Sequence, residues 1–281
     1  MAEGMMAETA MAGDQVTLSL STEKMIARKG GGIGWIVFNQ PEKRNAVSVE
    51  MWQAVEQIAA DFAADEAVRV VVITGAGERA FVSGADISQF EKLRGDADAQ
   101  AEYEKMTAAG RAALAAMDKP SIAMIRGYCI GGGLAIALGA DIRIASDDSR
   151  FAVPAAKLGL AYNSTGLKRL IDLVGPAQAK EIMFTARQYD AGEALRIGLV
   201  NRIVPVEALA ETVGTLATTI ANNAPLTIRA ARVTINEMLK DAAERDTARM
   251  QDVFRACFDS TDYKEGRRAF MEKRTPVFTG S

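Results

Sequence analysis

The 281-residue sequence contains no histidine, and this absence removes several classes of site at once. Ser-His-Asp triads, histidine general bases and histidine-ligated metals are all excluded. Cysteine is almost as scarce, because only Cys129 and Cys257 occur, far apart in the chain. Two distant cysteines make neither a disulfide framework nor a zinc site, so we expect no metal ion and a reducing compartment.

Strong charge and long apolar runs are also missing. The formal net charge is −3 at pH 7, which provides no positive field for nucleic acid, so we expect no nucleic-acid partner. The longest uncharged run in the apolar middle, 127–140, is too short and too rich in glycine to span a bilayer, so we expect no membrane association. The first 15 residues lack the features of a secretory signal, and we interpret them as a disordered extension of a cytoplasmic protein.

Apolar patterns over the first two thirds of the chain alternate between strands and helices. Strands are predicted within 33–41, 68–75, 119–127 and 141–146, and the run at 68–75 is typical of a strand buried on both faces. Ser48 is predicted to cap a helix with an apolar face at helical spacing. This alternation indicates α/β architecture with parallel strand pairing.

The remaining third is predicted to be mostly helical. A helix begins at Pro176, because proline suits the first helical turn. A long helical region is predicted from Pro225 to about Phe258, and Asp262 is predicted to cap a last helix.

Two glycine-containing segments point to chemistry carried by the backbone. The stretch CIGGGLAIALG places three glycines before an apolar helix, and FVSGADIS places Gly84 in a loop that leads to a helix. Each segment can present a backbone N–H group, and two converging N–H groups make an oxyanion hole. Such a hole stabilises the negative oxygen that develops on a thioester carbonyl as it becomes enolate-like.

Four motifs, in this order, resemble those of the crotonase superfamily, the enoyl-CoA hydratases and isomerases. They are NQPEKRNAVS, VVVITGAGERAFVSGADI, KPSIAMIRGYCIGGGLAIALGADIRIA and AGEALRIGLVNRIVP. The resemblance implies a crotonase-like α/β fold, a spiral of β-β-α units that forms two sheets, with C-terminal helices that trimerise. It implies an acyl-CoA thioester as ligand, no separate cofactor because coenzyme A enters with the substrate, and a homotrimer or a hexamer built as a dimer of trimers.

On this basis we divide the chain into three regions: a disordered extension at 1–15, a crotonase-like core with the CoA site at 16–205, and a helical oligomerisation region at 206–281. The resemblance also assigns residues by position. The backbone N–H groups of Ala85 and Gly132 would form the oxyanion hole. The residues that would contact coenzyme A are Lys43, Arg44, Ala85, Asp86 and Ile87, together with Phe270 and Lys273 from a neighbouring subunit.

The sequence departs from the hydratases at both of their acid/base positions. Hydratases of this superfamily carry a glutamate two residues beyond the triple glycine and another after the proline of a Phe-x-x-Pro segment. Here these positions hold Ala135 and Ala155. Since each general acid or base contributes about 10²–10⁴ in rate, we expect ordinary hydration to be nearly abolished.

Three other residues are candidate catalytic groups. Tyr162 is a candidate acid, Asn163 stands where dienoyl-CoA isomerases carry an aspartate, and Glu91 is the nearest plausible carboxylate in the sequence. Three functional interpretations therefore stay open. The protein is a hydratase/isomerase-class enzyme for an unusual acyl-CoA, or it performs other enolate chemistry such as decarboxylation or thioester cleavage, or it binds acyl-CoA without catalysis.

Overall fold

The computed structural model describes residues 15–86, 97–162 and 164–281, with the backbone alone at 97–101 and 165. The strands of this part are β1 (Val16–Thr17), β2 (Met25–Gly30), β3 (Ile33–Phe38), β4 (Val70–Gly75), β5 (Ala80–Val82), β6 (Ser121–Ile125), β7 (Tyr128–Ile130), β8 (Ile142–Ser146), β9 (Arg150–Ala152), β10 (Tyr189–Asp190) and β11 (Arg202–Val204). They form two sheets, as the resemblance implies. The larger has the order β1-β2-β3-β4-β6-β8-β11, and the smaller has the order β10-β9-β7-β5.

The α-helices of the described residues are α1 (Val49–Ala64), α2 (Ala97–Ala116), α3 (Gly132–Gly139), α4 (Ala155–Leu158), α5 (Ser164–Thr185), α6 (Ala191–Arg196), α7 (Leu209–Asn222), α8 (Pro225–Met238), α9 (Thr247–Asp259) and α10 (Thr261–Glu272). None of the helices within this part of the chain is long and apolar enough to cross a membrane.

The larger sheet is covered on both faces. Ile36 and Ile73 belong to the main apolar core, whereas Trp35 and Val72, their neighbours along the strands, belong to a second cluster beneath α7. Successive side chains of a strand point to opposite faces, so this division follows from the near-continuous apolar runs in the sequence. The prediction of parallel strands buried on both faces is confirmed.

The smaller sheet determines where the glycine-containing segments lie. Strands β5, β7 and β9 are neighbours and run parallel. Their carboxyl ends therefore meet at one edge, and the segments that follow them, 83–85, 131–133 and 153–155, lie side by side. This edge of a parallel sheet is where ligands commonly bind in α/β proteins.

The local predictions for the first helix and for Pro176 agree with the structure. Ser48 is the N-cap of α1. Pro176 begins the second half of α5, because the chain leaves helical geometry at Gly175, with φ 75° and ψ 164°. A backbone break directly before the proline is what its missing N–H and fixed φ favour.

The region predicted to be helical from Pro225 to about Phe258 is mostly helical in the structure, but it is interrupted. The structure has two helices, α8 and α9, with a break between them. The buried carboxylate of Glu237 accepts hydrogen bonds at this break from Lys240, at 2.7 Å, and from the N–H group of Asp246, at 2.9 Å. The Asp246 side chain in turn caps α9 by accepting from the N–H group of Arg249. The break is thus stabilised by side-chain bonds that replace helical backbone bonds.

The predicted cap of the last helix is wrong by position. Ser260 caps α10, since its hydroxyl accepts from the N–H group of Tyr263 at 3.0 Å. Asp262 lies in the first turn and instead fastens the C-terminal tail. Its carboxylate accepts from the N–H groups of Thr279, at 2.7 Å, and Gly280, at 2.8 Å.

The contact between α1 and α2 gives a sharp test of packing. A methyl group on Gly110 of α2 would lie 2.1 Å from the carbonyl oxygen of Trp52. We expect Gly110→Ala to force the helices apart and lower the free energy of unfolding by about 1–3 kcal/mol. Gly214 of α7 has no atom within 4 Å of an added methyl group. Gly214→Ala is the matched control, and should raise stability by up to about 1 kcal/mol through helix propensity. Equal Tm changes in thermal denaturation of the two variants would contradict this packing.

Candidate functional site

The loop that follows β5 is fastened to a residue of the segment before α1. The N–H group of Val47 donates to the carbonyl of Gly84 at 2.8 Å, and the N–H group of Asp86 donates to the carbonyl of Val47 at 3.0 Å. Backbone groups of successive residues in extended chain point to opposite sides. The N–H group of Ala85, between these two bonded residues, therefore points away from Val47.

The chain turns sharply between β7 and α3. Gly131 adopts φ 54° and ψ −115°, a conformation that glycine alone takes readily, and its N–H group donates to the carbonyl of Ala152 at 2.8 Å. Gly132 is the first residue of α3 and is exposed. The N–H groups of the first helical turn have no acceptor within the helix, so the Gly132 N–H group is available to a ligand.

These two backbone segments lie against each other. A methyl group on Gly132 would lie 3.8 Å from the amide nitrogen of Ala85 and 3.7 Å from the carbonyl carbon of Gly84. A methyl group on Gly84 would in turn lie 3.9 Å from the amide nitrogen of Gly132. The structure thus brings together the two segments whose N–H groups are predicted to form an oxyanion hole.

Ala135 and Ala155, which replace the two hydratase glutamates, lie beside this junction of the Ala85 and Gly132 segments. Ala135 is one turn into α3, half-buried, and its N–H group donates to the carbonyl of Gly131 at 3.0 Å. Ala155 is the first residue of α4 and is buried. It follows Pro154, whose ring lies 3.7 Å from a methyl group built on Gly131. Two methyl side chains, which bind and release no protons, therefore flank the segment that carries the Gly132 N–H group.

Tyr162 reaches the same segment from the chain that follows α4. Its ring is half-buried against the main core, and its hydroxyl donates to the carbonyl of Gly131 at 3.4 Å. Burial raises the pKa of Tyr162 to about 12, because the charged phenolate loses its hydration. The hydroxyl is therefore protonated at neutral pH and serves as a hydrogen-bond donor. The other two catalytic candidates, Asn163 and Glu91, lie outside the described residues.

The side chains of Lys43 and Arg44, both predicted to contact coenzyme A, point in different directions. The ammonium of Lys43 lies 2.9 Å from the carboxylate of Asp86, next to Ala85. Arg44 points elsewhere, with its guanidinium carbon 5.2 Å from the centre of the Tyr128 ring. Tyr128 is the first residue of β7, so the Arg44 side chain extends toward the opposite end of the smaller sheet. Ile87 lies outside the described residues.

The two C-terminal residues assigned to a neighbouring subunit's ligand are both at the surface. Phe270, on α10, is 82 % exposed, and Lys273 follows the end of that helix with φ 55°. Both contacts stay predictions. The described part of the chain contains no group of three or more acidic or cysteine side chains that could hold a metal ion.

The sequence did not reveal two features of this site. One is Val47, whose backbone fastens the Ala85 loop. The other missed feature is the contact of Tyr162 with Gly131, across 31 residues of chain. The motif NQPEKRNAVS, which contains Val47, was the only available signal for the first, and the second had none.

Comparison with known proteins gives one consistent result. Residues 28–281 match the family described as enoyl-CoA hydratase/isomerase. The chain is 34% identical to the short-chain-enoyl-CoA hydratase of Clostridium acetobutylicum over 258 residues, 91% of this chain and 97% of that protein. It is 35% identical to the carnitinyl-CoA dehydratase of Citrobacter koseri over 263 residues, 92% of this chain and 99% of that protein.

The fold matches solved structures equally well. A crystal structure of an enoyl-CoA hydratase/carnithine racemase from Magnetospirillum magneticum superimposes with a TM-score of 0.88 and 34% sequence identity. The match covers 93% of this chain and 97% of that one. The chain therefore shares its overall fold with this solved structure.

Proposed function

The chain belongs to the enoyl-CoA hydratase/isomerase family, and we propose that it stabilises the enolate of an acyl-CoA thioester with the N–H groups of Ala85 and Gly132. The observation that carries this proposal is the approach of the two segments, with the amide nitrogen of Ala85 3.8 Å from a methyl group on Gly132. Two N–H groups at such a junction can share one acceptor, the thioester oxygen.

Electrostatics at this junction favour a developing negative charge. The Gly132 N–H group is at the start of α3, where the helix dipole places partial positive charge. As the α-carbon of the acyl group gains electron density, the carbonyl oxygen becomes negative. Donors already in place then stabilise that oxygen without reorganisation, which is the main source of catalytic power in such sites.

The proton-transfer steps that accompany enolate formation must differ from those of ordinary hydration. Hydration requires delivery of water to Cβ and of a proton to Cα, the two tasks of the hydratase glutamates. Ala135 and Ala155 can perform neither. We propose that the protein acts on an acyl-CoA whose proton transfers are made by another group. Among the sequence candidates, the Glu91 carboxylate can accept and return a proton at neutral pH, whereas the Asn163 amide can hold a water molecule but cannot take its proton.

The two methyl groups also favour a second candidate function. Decarboxylation or thioester cleavage relies mainly on stabilisation of the carbonyl oxygen. A substrate that carries its own departing carboxylate needs no base at Cα, because the electron pair of the broken C–C bond forms the enolate.

The C-terminal helices support a proposed homotrimer or dimer of trimers. They expose large apolar side chains that a single chain leaves in water: Ile235, Met238, Leu239, Phe254, Phe258, Phe270 and Met271, each at least 50 % exposed. A neighbouring subunit would bury this surface. Phe270 and Lys273 would then reach that subunit's coenzyme A. The cytoplasmic location and the absence of a further cofactor stay predictions.

Binding measurements with two matched ligands test the proposed function. Butyryl-CoA and its thioether S-butyl-CoA differ in one carbonyl oxygen, the atom that the oxyanion hole would hold. In calorimetric titrations we expect both to bind, with butyryl-CoA about thirtyfold tighter, as expected for two hydrogen bonds worth about 1 kcal/mol each. Equal affinities would contradict the oxyanion hole, and failure of both to bind would contradict the acyl-CoA site itself.

A further inference from the structure

The peptide bond between Gly131 and Gly132 has hydrogen-bond partners that the proposed oxyanion hole does not require. Its N–H group belongs to Gly132, and its carbonyl belongs to Gly131. That carbonyl accepts from the N–H group of Ala135 at 3.0 Å and from the hydroxyl of Tyr162 at 3.4 Å. The first bond is part of the helix start. The second comes from a side chain 31 residues away and has no role in building α3.

This peptide needs such support because of its neighbours. It lies within the run 131–133, three consecutive glycines, which have the largest backbone freedom of any residue. Rotation of the peptide plane would turn the Gly132 N–H group away from the ligand. A second hydrogen bond to the carbonyl opposes this rotation, because it fixes the plane from the side opposite the N–H group.

The same bond also strengthens the N–H donor. Carbonyl and N–H groups of one amide are coupled by resonance, so a donor on the oxygen makes the N–H group more positive. In hydrogen-bonded chains this strengthening is roughly 10–30% per bond. The Tyr162 hydroxyl is well suited to the task, since it keeps its proton throughout the physiological pH range.

We propose that Tyr162 is a positioning residue that orients and polarises the Gly131–Gly132 peptide, so that its N–H group is a stronger donor to the thioester oxygen. This inference rests on the proposed function. It assigns Tyr162 a role through the backbone, and the residue then neither gives nor takes a proton in the reaction.

A chromophoric thioester tests this role independently of any turnover. The absorption band of 4-(dimethylamino)cinnamoyl-CoA moves to longer wavelength when its carbonyl is polarised. We expect unmodified protein to produce such a red shift and Tyr162→Phe to lose about 10–30% of it. Affinity for the probe should change less than threefold, because the ring and its packing are retained. Tyr128→Phe, at the other end of β7, is the matched control and should keep the full shift.

The outcomes separate this inference from the proposed function. An unchanged red shift in Tyr162→Phe, with a full shift in the unmodified protein, would overturn the positioning role and leave the oxyanion hole standing. Binding of the probe to unmodified protein without any red shift would overturn both. Tyr162→Phe removes one oxygen atom and no atom that packs in the core. A Tm equal to that of the unmodified protein would verify that the fold is retained.

Discussion

The double variant Ala135→Glu/Ala155→Glu is expected to hydrate crotonyl-CoA at least about 10² times faster than the unmodified chain. The two segments that carry the proposed backbone donors meet beside both positions. The double variant adds the two groups that deliver water to Cβ and a proton to Cα. Loss of the conjugated enoyl-thioester absorbance measures the reaction.

The double glutamine variant, Ala135→Gln/Ala155→Gln, is the matched control. It adds nearly the same volume but no general acid or base, so it should stay as slow as the unmodified protein. Each single glutamate should give little, because residues that act as a unit are strongly non-additive. Comparable gains in the glutamate and glutamine variants would show that side-chain volume, and not proton transfer, limits the reaction.

Removal of the Gly132 N–H group is expected to have an effect of similar size. Gly132→Pro places proline at the first position of α3, where helices tolerate it. The Cβ atom of the added ring would lie 3.7 Å from Gly84, an ordinary contact. In the double glutamate background we expect this change to lower crotonyl-CoA hydration by about 10²–10³, the usual effect of losing one oxyanion-hole donor.

Gly132→Ala separates the lost donor from the added bulk. It introduces the same Cβ atom but keeps the N–H group, so it should retain far more of the activity than Gly132→Pro. The red shift of bound 4-(dimethylamino)cinnamoyl-CoA should likewise be larger in Gly132→Ala than in Gly132→Pro. Similar losses in both variants would indicate that position 132 is merely crowded, and would argue against a donor role.

Much of the fold could be predicted because the apolar patterns of its strands are strong. The run at 68–75 gave a buried strand of the larger sheet, and the structure places it at Val70–Gly75 with both faces covered. The helix break after Met238 could not be predicted from helix-forming residues alone. It depends on the Glu237 carboxylate, which bonds the N–H group of Asp246 across the break. Side-chain bonds of this kind override local helix propensity.

The candidate site was less accessible to prediction than the fold. Three glycines and a loop glycine indicate backbone donors, but only the parallel pairing of β5, β7 and β9 shows that the two segments meet. The assignment of the proposed donors to Ala85 and Gly132 rests on the family resemblance. No sequence pattern reveals that the Tyr162 hydroxyl reaches Gly131, because the contact depends on how the chain after α4 returns to the sheet edge.

Crotonyl-CoA mixed with an excess of the unmodified protein gives the most direct test of an oxyanion hole that lacks the usual acid/base pair. The enoyl-thioester band reports both events, since polarisation shifts it and hydration removes it. We predict a shifted band that persists on the timescale on which an ordinary hydratase would consume it. Disappearance of the band at ordinary hydratase rates would contradict this, and would mean that a carboxylate other than the two replaced by Ala135 and Ala155 performs the chemistry.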